Sequence, residues 1–492
     1  MLNVLFLIHL ASEATLMLYF PLKKIQIFIT VYLKINCKKK GTFMKKFVIL
    51  TMLCFFMISL ILTGCKGPVN DNKNVIIRMW IMPNSPQPVK DIKAVLAKFE
   101  EKNPNIKVEV TSIDWGSAWT KINTAAISKE APDITQLGTT WVGVISAMNA
   151  LEPMNDYVKE IGGGKTFLPA TWKTSGILGK DEVTAIPWFV DARALYYRTD
   201  VFRKLNINPS DLDTWESFER ALKKIKDANL TINNIKVNPF GSPGKNDWNV
   251  LHNMAPWIWS AGGDLISADL KSAAFNNPKS IKGVEFYVDL ASKGYIPKEC
   301  LELNTAQVSA KFNEGAYAIY FDTPAQIKNL SLPPEQGGAA GTIAAKNYGV
   351  ALYHKGPEGR YTFFGGSNLV IFKSSKYKKE AWEVIKYLTS KEAQLAYSEK
   401  TGFIPARADC FNDQYFTGDP KRKIFIEAVK YGRVYPCISA WGPIEPIMMR
   451  HIGIIWDHVA GVFGEFKKSI VKDELDKAAK EVNILIKESL EK

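Results

Sequence analysis

The chain has 492 residues, with 63 Lys and Arg against 49 Asp and Glu and a formal net charge of +14. Residues 1–64 hold 8 of those basic residues and 1 of the acidic ones, so the remainder carries 55 against 48 and a net charge of +7. The basic residues there are scattered rather than gathered into a stripe with interleaved aromatics, which argues against a nucleic-acid partner, and the length beyond residue 64 exceeds one ordinary domain and predicts two lobes.

Met44 opens a segment in which Lys45 and Lys46 precede an apolar run from Phe47 to Leu62. A charged start and an apolar middle are the marks of a secretory signal, and the run falls short of the roughly 20 apolar residues of a membrane span. It ends in Leu62-Thr63-Gly64-Cys65, which resembles the lipobox of bacterial lipoproteins. That resemblance implies removal of 44–64, acylation of Cys65, and anchoring at the outer face of the cytoplasmic membrane by two or three chains where one would be marginal. Residues 65–74 are polar and suit a tether. Residues 1–43 precede a complete signal with its own methionine and read as a mis-assigned upstream extension.

Beyond the tether, Val75 to Met82 is a strand-length apolar run, and Val89, Ile92, Val95, Leu96 and Phe99 recur at helical spacing until Asn103-Pro104. Ile106, Val108 and Val110 alternate as a second strand, completing a βαβ unit with parallel pairing. A helix at 119–127, a short strand at 132–135 and a helix carrying Trp141, Val144, Ile145 and Met148 follow. Asp213 with Glu216 predicts a cap for a helix presenting Trp215, Phe218, Leu222 and Ile225; Pro278 starts another that Gly294 ends; Thr389 and Glu392 predict a capping box ahead of Gly402. The whole reads as α/β without internal repeats.

Several strings then resemble the family 1 extracellular solute-binding proteins, the sugar-binding subunits of ATP-driven importers. They are Gln136-Leu137-Gly138-Thr139-Thr140-Trp141, Ile186-Pro187-Trp188-Phe189-Val190-Asp191-Ala192-Arg193, Thr214-Trp215-Glu216, the run Pro256–Asp264, the run Phe312–Ala318, Gly365-Gly366-Ser367-Asn368, and Thr401-Gly402-Phe403-Ile404-Pro405. The resemblance implies a two-lobed α/β fold of the type II periplasmic-binding-protein kind with the ligand cleft between the lobes. Lobe one would be 75–190 plus 325–370 and lobe two 191–322 plus 375–492, with crossings near Asp191, Asp322 and Ile371. It further implies a carbohydrate ligand and importer permease subunits as partners, for a monomer with no cofactor.

Physics alone places the ligand of open α/β sheets beyond the carboxyl ends of the strands, at Asn84, at Gln136, Thr140 and Trp141, and at Asp191. Sugars present hydroxyl rims and C–H faces, which call for polar groups and flat aromatics. Trp141, Trp188, Trp257, Trp259 and Trp441 are the candidate surfaces. Arg193, Asp264, Asp322, Gly366 and Ser367 complete the expected ligand set, Gly366 through close backbone approach.

A glycan-processing enzyme is the rival class, since Asp133, Asp191, Asp264, Asp322 and Glu445 supply carboxylates. The usual hydrolase and nucleotide motifs are missing from the sequence, and the expectation is no catalysis. His451 and His458 read as a packed helix face rather than metal ligands, and no metal site is expected. The same fold binding a polyamine or a peptide is the second alternative. Cys300, Cys410 and Cys437 leave room for one bridge, between Cys410 and Cys437.

Overall fold

Strand Val75–Ile81 buries every second residue, helix Pro88–Lys102 buries Ile92, Val95, Leu96 and Phe99, and strand Ile106–Ser112 returns beside the first. The two strands pair in parallel with Ile77 opposite Val108, so the expected βαβ unit is present. The computed structural model describes residues 74–491 other than 246. The upstream extension, the signal segment, Cys65 and the tether up to residue 73 lie outside the described residues. Among the described residues no helix is long and apolar enough to cross a membrane.

Two sheets organise the chain. The first runs in the order Ile404–Pro405, Ile186–Ala192, Thr362–Ile371, Ile134–Gly138, Val75–Ile81, Ile106–Ser112, with Gly432–Arg433 added beside Thr362–Ile371. The second runs Tyr348–Ala351, Ala194–Arg198, Tyr317–Asp322, Asn238–Gly241. Arg193 is the single residue between a strand of the first sheet and a strand of the second, so the chain changes sheets there.

Several expectations need correction. Strand Tyr348–Ala351 pairs with Ala194–Arg198, so it belongs to the second sheet rather than with the 325–370 segment assigned to lobe one. The change of sheet expected near Ile371 therefore falls between 351 and 362, because Thr362–Ile371 stays in the first sheet throughout. Helices Lys378–Leu388 and Lys391–Thr401 pack on Pro88–Lys102 and on strands of the first sheet, not with lobe two. The caps also shift by one residue. Thr214, not Asp213, accepts from Ser217 N, and Asp213 instead pairs with Arg360 and Lys355. Ser390, not Thr389, caps the helix at Lys391. Cys300, Cys410 and Cys437 are free and buried, and the conceivable bridge is not formed.

Gly366 makes its close approach to protein, not to a cleft. Its φ is +129°, and a Cβ there would lie 2.1 Å from the Phe189 carbonyl oxygen. The pairing with Ile186–Ala192 slips between Ser367 and Asn368, next to Pro187, which has no N–H to give the ladder. Gly366→Ala is expected to cost on the order of 1–3 kcal/mol or more, read as a lower urea midpoint at unchanged slope.

Candidate ligand-binding site

The first sheet ends in a saturated polar cluster. Asn84 Nδ2 donates to Gln136 Oε1 and to the Tyr397 hydroxyl, both at 2.8 Å, while Gln136 Nε2 donates to Asn84 Oδ1 at 3.1 Å and to Ser367 Oγ at 2.7 Å. The Met82 N–H adds a bond to Gln136 Oε1 at 2.9 Å. All of this is buried, so Asn84, Gln136 and Ser367 tie the segment after strand Val75–Ile81 to strands Ile134–Gly138 and Thr362–Ile371 and have little left for a ligand. Trp188 lies in the same layer, stacked on Tyr397 with ring centroids 4.5 Å apart.

Trp257 belongs to the core beside the second sheet. It is 0% exposed and meets Trp215, Phe218, Phe286, Tyr287 and His354, the last at 3.9 Å between ring centroids. Its expected role as a ligand platform is not supported by that position. Asp264 sits at the surface and pairs with Arg433 at 2.7 Å.

Other expected residues do come together between the sheets. Asp191 Oδ2 lies 3.5 Å from Arg193 Nη2, and Arg193 Nη1 donates to Asn253 Oδ1 at 2.8 Å. Asn249 Oδ1 takes a further bond from Arg193 Nη2. The guanidinium also stands 5.6 Å from the Phe363 ring centre. Asp322, paired in register with Ala194, accepts from the Tyr320 hydroxyl at 2.6 Å and from Thr323 N at 2.7 Å. Burial raises both carboxyl pKa values against the pull of these partners, Asp191 against Arg193 and Asp322 against Tyr320.

Across from Arg193, the His252 ring lies flat on Phe363, with centroids 3.9 Å apart and planes at 4°. His252 Nδ1 is 2.8 Å from the Tyr435 hydroxyl and 3.9 Å from Glu445 Oε1. Helix Trp441–Ala460 places Trp441 and Glu445 one turn apart, and Trp441 Nε1 donates to Glu445 Oε2 at 3.3 Å. Thr140 stands near the same carboxyl from the first sheet's side. Tyr435 links Trp441 and Trp259, with centroids 4.7 and 6.0 Å away, and Arg433 covers the Trp259 ring at 5.0 Å. Trp141 closes the other flank against Trp115, Trp119 and Trp248.

Four polar atoms of this assembly are buried without a partner among the described residues: Asp191 Oδ1, Arg193 Nε, Trp259 Nε1 and Glu445 Oε1. Asp191 comes from the first sheet, Arg193 from the point where the chain changes sheets, and Trp259 and Glu445 from helices Asn249–Ser260 and Trp441–Ala460. Sequence reasoning missed His252, Asn249, Asn253, Phe363 and Tyr435, and it treated Glu445 only as a spare carboxylate. The aromatic density of 431–441 was the available signal. Among the described residues no group of three or more His, Cys, Asp or Glu is arranged to hold a metal ion. His451 faces Glu474 at 2.7 Å and Glu481 at 3.1 Å on the neighbouring helix, as part of helix packing.

The model of the bacterial extracellular solute-binding protein family matches residues 94–424, more than half of the chain. The chain belongs to that family. This solute-binding protein is 25% identical over 433 residues to the diacetylchitobiose binding protein of Streptomyces coelicolor, covering 84% of this chain and 93% of that one. Among solved structures it is similar to an ABC transporter solute-binding protein of Thermotoga lettingae bound with α-D-tagatose. That match has 25% identity and a TM-score of 0.71, over 84% of this chain and 99% of the other. The sugar-binding protein MalE of Xanthomonas citri matches at 26% identity and a TM-score of 0.66, over 83% and 98%. These neighbours are two-lobed, and the chain shares their fold.

Proposed function

We propose that this chain captures a sugar or oligosaccharide outside the cytoplasmic membrane, as a monomer held there by a lipid on Cys65. It then passes the ligand intact to the permease subunits of an ATP-driven importer. The observation that carries this reading is the set of buried, unpartnered polar atoms on Asp191, Arg193, Trp259 and Glu445, framed by aromatic rings between the two sheets. Buried polar atoms are costly unless bonded, and a polyhydroxylated ligand supplies both donors and acceptors to such a set. The named ligands of the similar proteins, diacetylchitobiose and tagatose, are of that chemistry.

The test is a thermal-shift screen of the mature chain against mono-, di- and oligosaccharides, followed by calorimetry with the best of them. Asp191→Ala is expected to weaken binding roughly 10-fold to 150-fold, the equivalent of a charged hydrogen bond lost in a closed site. A screen in which no saccharide raises the melting temperature would sink the proposal.

A further inference from the structure

Glu445 occupies an unusual position for an acid. Its side chain is 2% exposed, Oε2 is taken by the Trp441 indole, and Oε1 has no partner among the described residues. His252 faces Oε1 at 3.9 Å, beyond hydrogen-bond reach, and burial pushes that imidazole well below its ordinary range, so it is uncharged at neutral pH. Tyr435 is the other titratable group turned toward it, and it too is neutral. Arg193 is engaged with Asp191, Asn249 and Asn253. The remaining charges brought to helix Trp441–Ala460 meet it further along: Glu474 and Glu481 at His451, and Lys245 at Asp457. An ionised Glu445 would therefore be buried without a countercharge, and burial pushes its carboxyl up to about 8.

Because Oε2 accepts the indole N–H, the proton of the neutral acid belongs on Oε1, the atom left free. We propose, resting on the sugar-capture reading above, that Glu445 is a specificity-determining residue that meets the ligand as a neutral carboxylic acid and donates its Oε1–H to a ligand oxygen. A hydroxyl, ether or carbonyl oxygen satisfies that donor. An ammonium group does not, so a polyamine is disfavoured at this point of the cleft.

Two measurements on the mature chain test this. In protein labelled with 5-fluorotryptophan, the Trp441 fluorine resonance, assigned through Trp441→Phe, is expected to shift in one transition near about pH 8, and the transition is absent in Glu445→Gln. Calorimetry with maltose and with diacetylchitobiose as probes is expected to show the dissociation constant rising by up to about tenfold per pH unit above that transition, and a flat profile in Glu445→Gln. A Trp441 resonance that does not titrate, a transition that persists in Glu445→Gln, or an affinity that is independent of pH in the parent would each overturn the inference. If neither of these two sugars binds at any pH, the sugar reading is left to the wider screen, and the resonance alone decides: a transition lost in Glu445→Gln supports the neutral acid, and its absence in the parent overturns it.

Discussion

Trp257→Ala is expected to lower the free energy of unfolding by about 3–5 kcal/mol, the range for removing a fully buried large aromatic from a core. The indole has no exposed surface, stacks on Tyr287 with centroids 5.0 Å apart, and touches His354 and Trp215. Such a hole cannot collapse easily, because the surrounding rings are themselves held by Phe286, Phe321 and Tyr353. Urea unfolding of residues 65–492 measures the loss. A variant as stable as the parent but with weakened ligand affinity would return Trp257 to the cleft.

Glu445→Gln is expected to act in the opposite direction and only over part of the pH range. The folded carboxyl, at about 8, lies above the ordinary value of 4.5, so between these values the unfolded chain is ionised while the folded chain keeps the proton. The stability associated with this group is then fully present below about pH 4.5 and falls as pH rises toward 8, where the folded form also ionises. At pH 7 the loss is on the order of 3 kcal/mol, and an amide in the same place does not incur it. Unfolding free energies measured across this range should fall more steeply in the parent than in Glu445→Gln, with the variant the more stable near neutrality. Parallel profiles would mean that Glu445 is ionised in the folded chain.

Much of this molecule is local enough to be read from its residues. The alternation in 75–81 and 106–110 and the helical spacing of Ile92, Val95, Leu96 and Phe99 name their elements, because a strand and a helix bury side chains at different periods. Pro278 and Gly402 mark a helix start and a helix end for reasons of backbone geometry alone. The motif strings that suggest a solute-binding protein are also contiguous, and the family match agrees with them.

Tertiary structure decided which of two similar residues does what. Trp257 and Trp259 are two positions apart in one helix and both buried, and a rotation of about 200° sends one against Trp215, Tyr287 and His354 and the other beside Tyr435 and Arg433. No local pattern separates them, since both sit in an apolar run around Pro256. Strand Tyr348–Ala351 joins the second sheet because its partner, Ala194–Arg198, lies some 150 residues earlier, a pairing that propensity cannot express. The same distance effect hides the site. Asn84, Gln136 and Ser367 look like ligand contacts until the fold brings their side chains together and satisfies them with one another. Glu445 looks like any surface acid of a helix until Trp441, Thr140 and His252 close around it without a charge, because desolvation depends on neighbours that only the folded chain assembles.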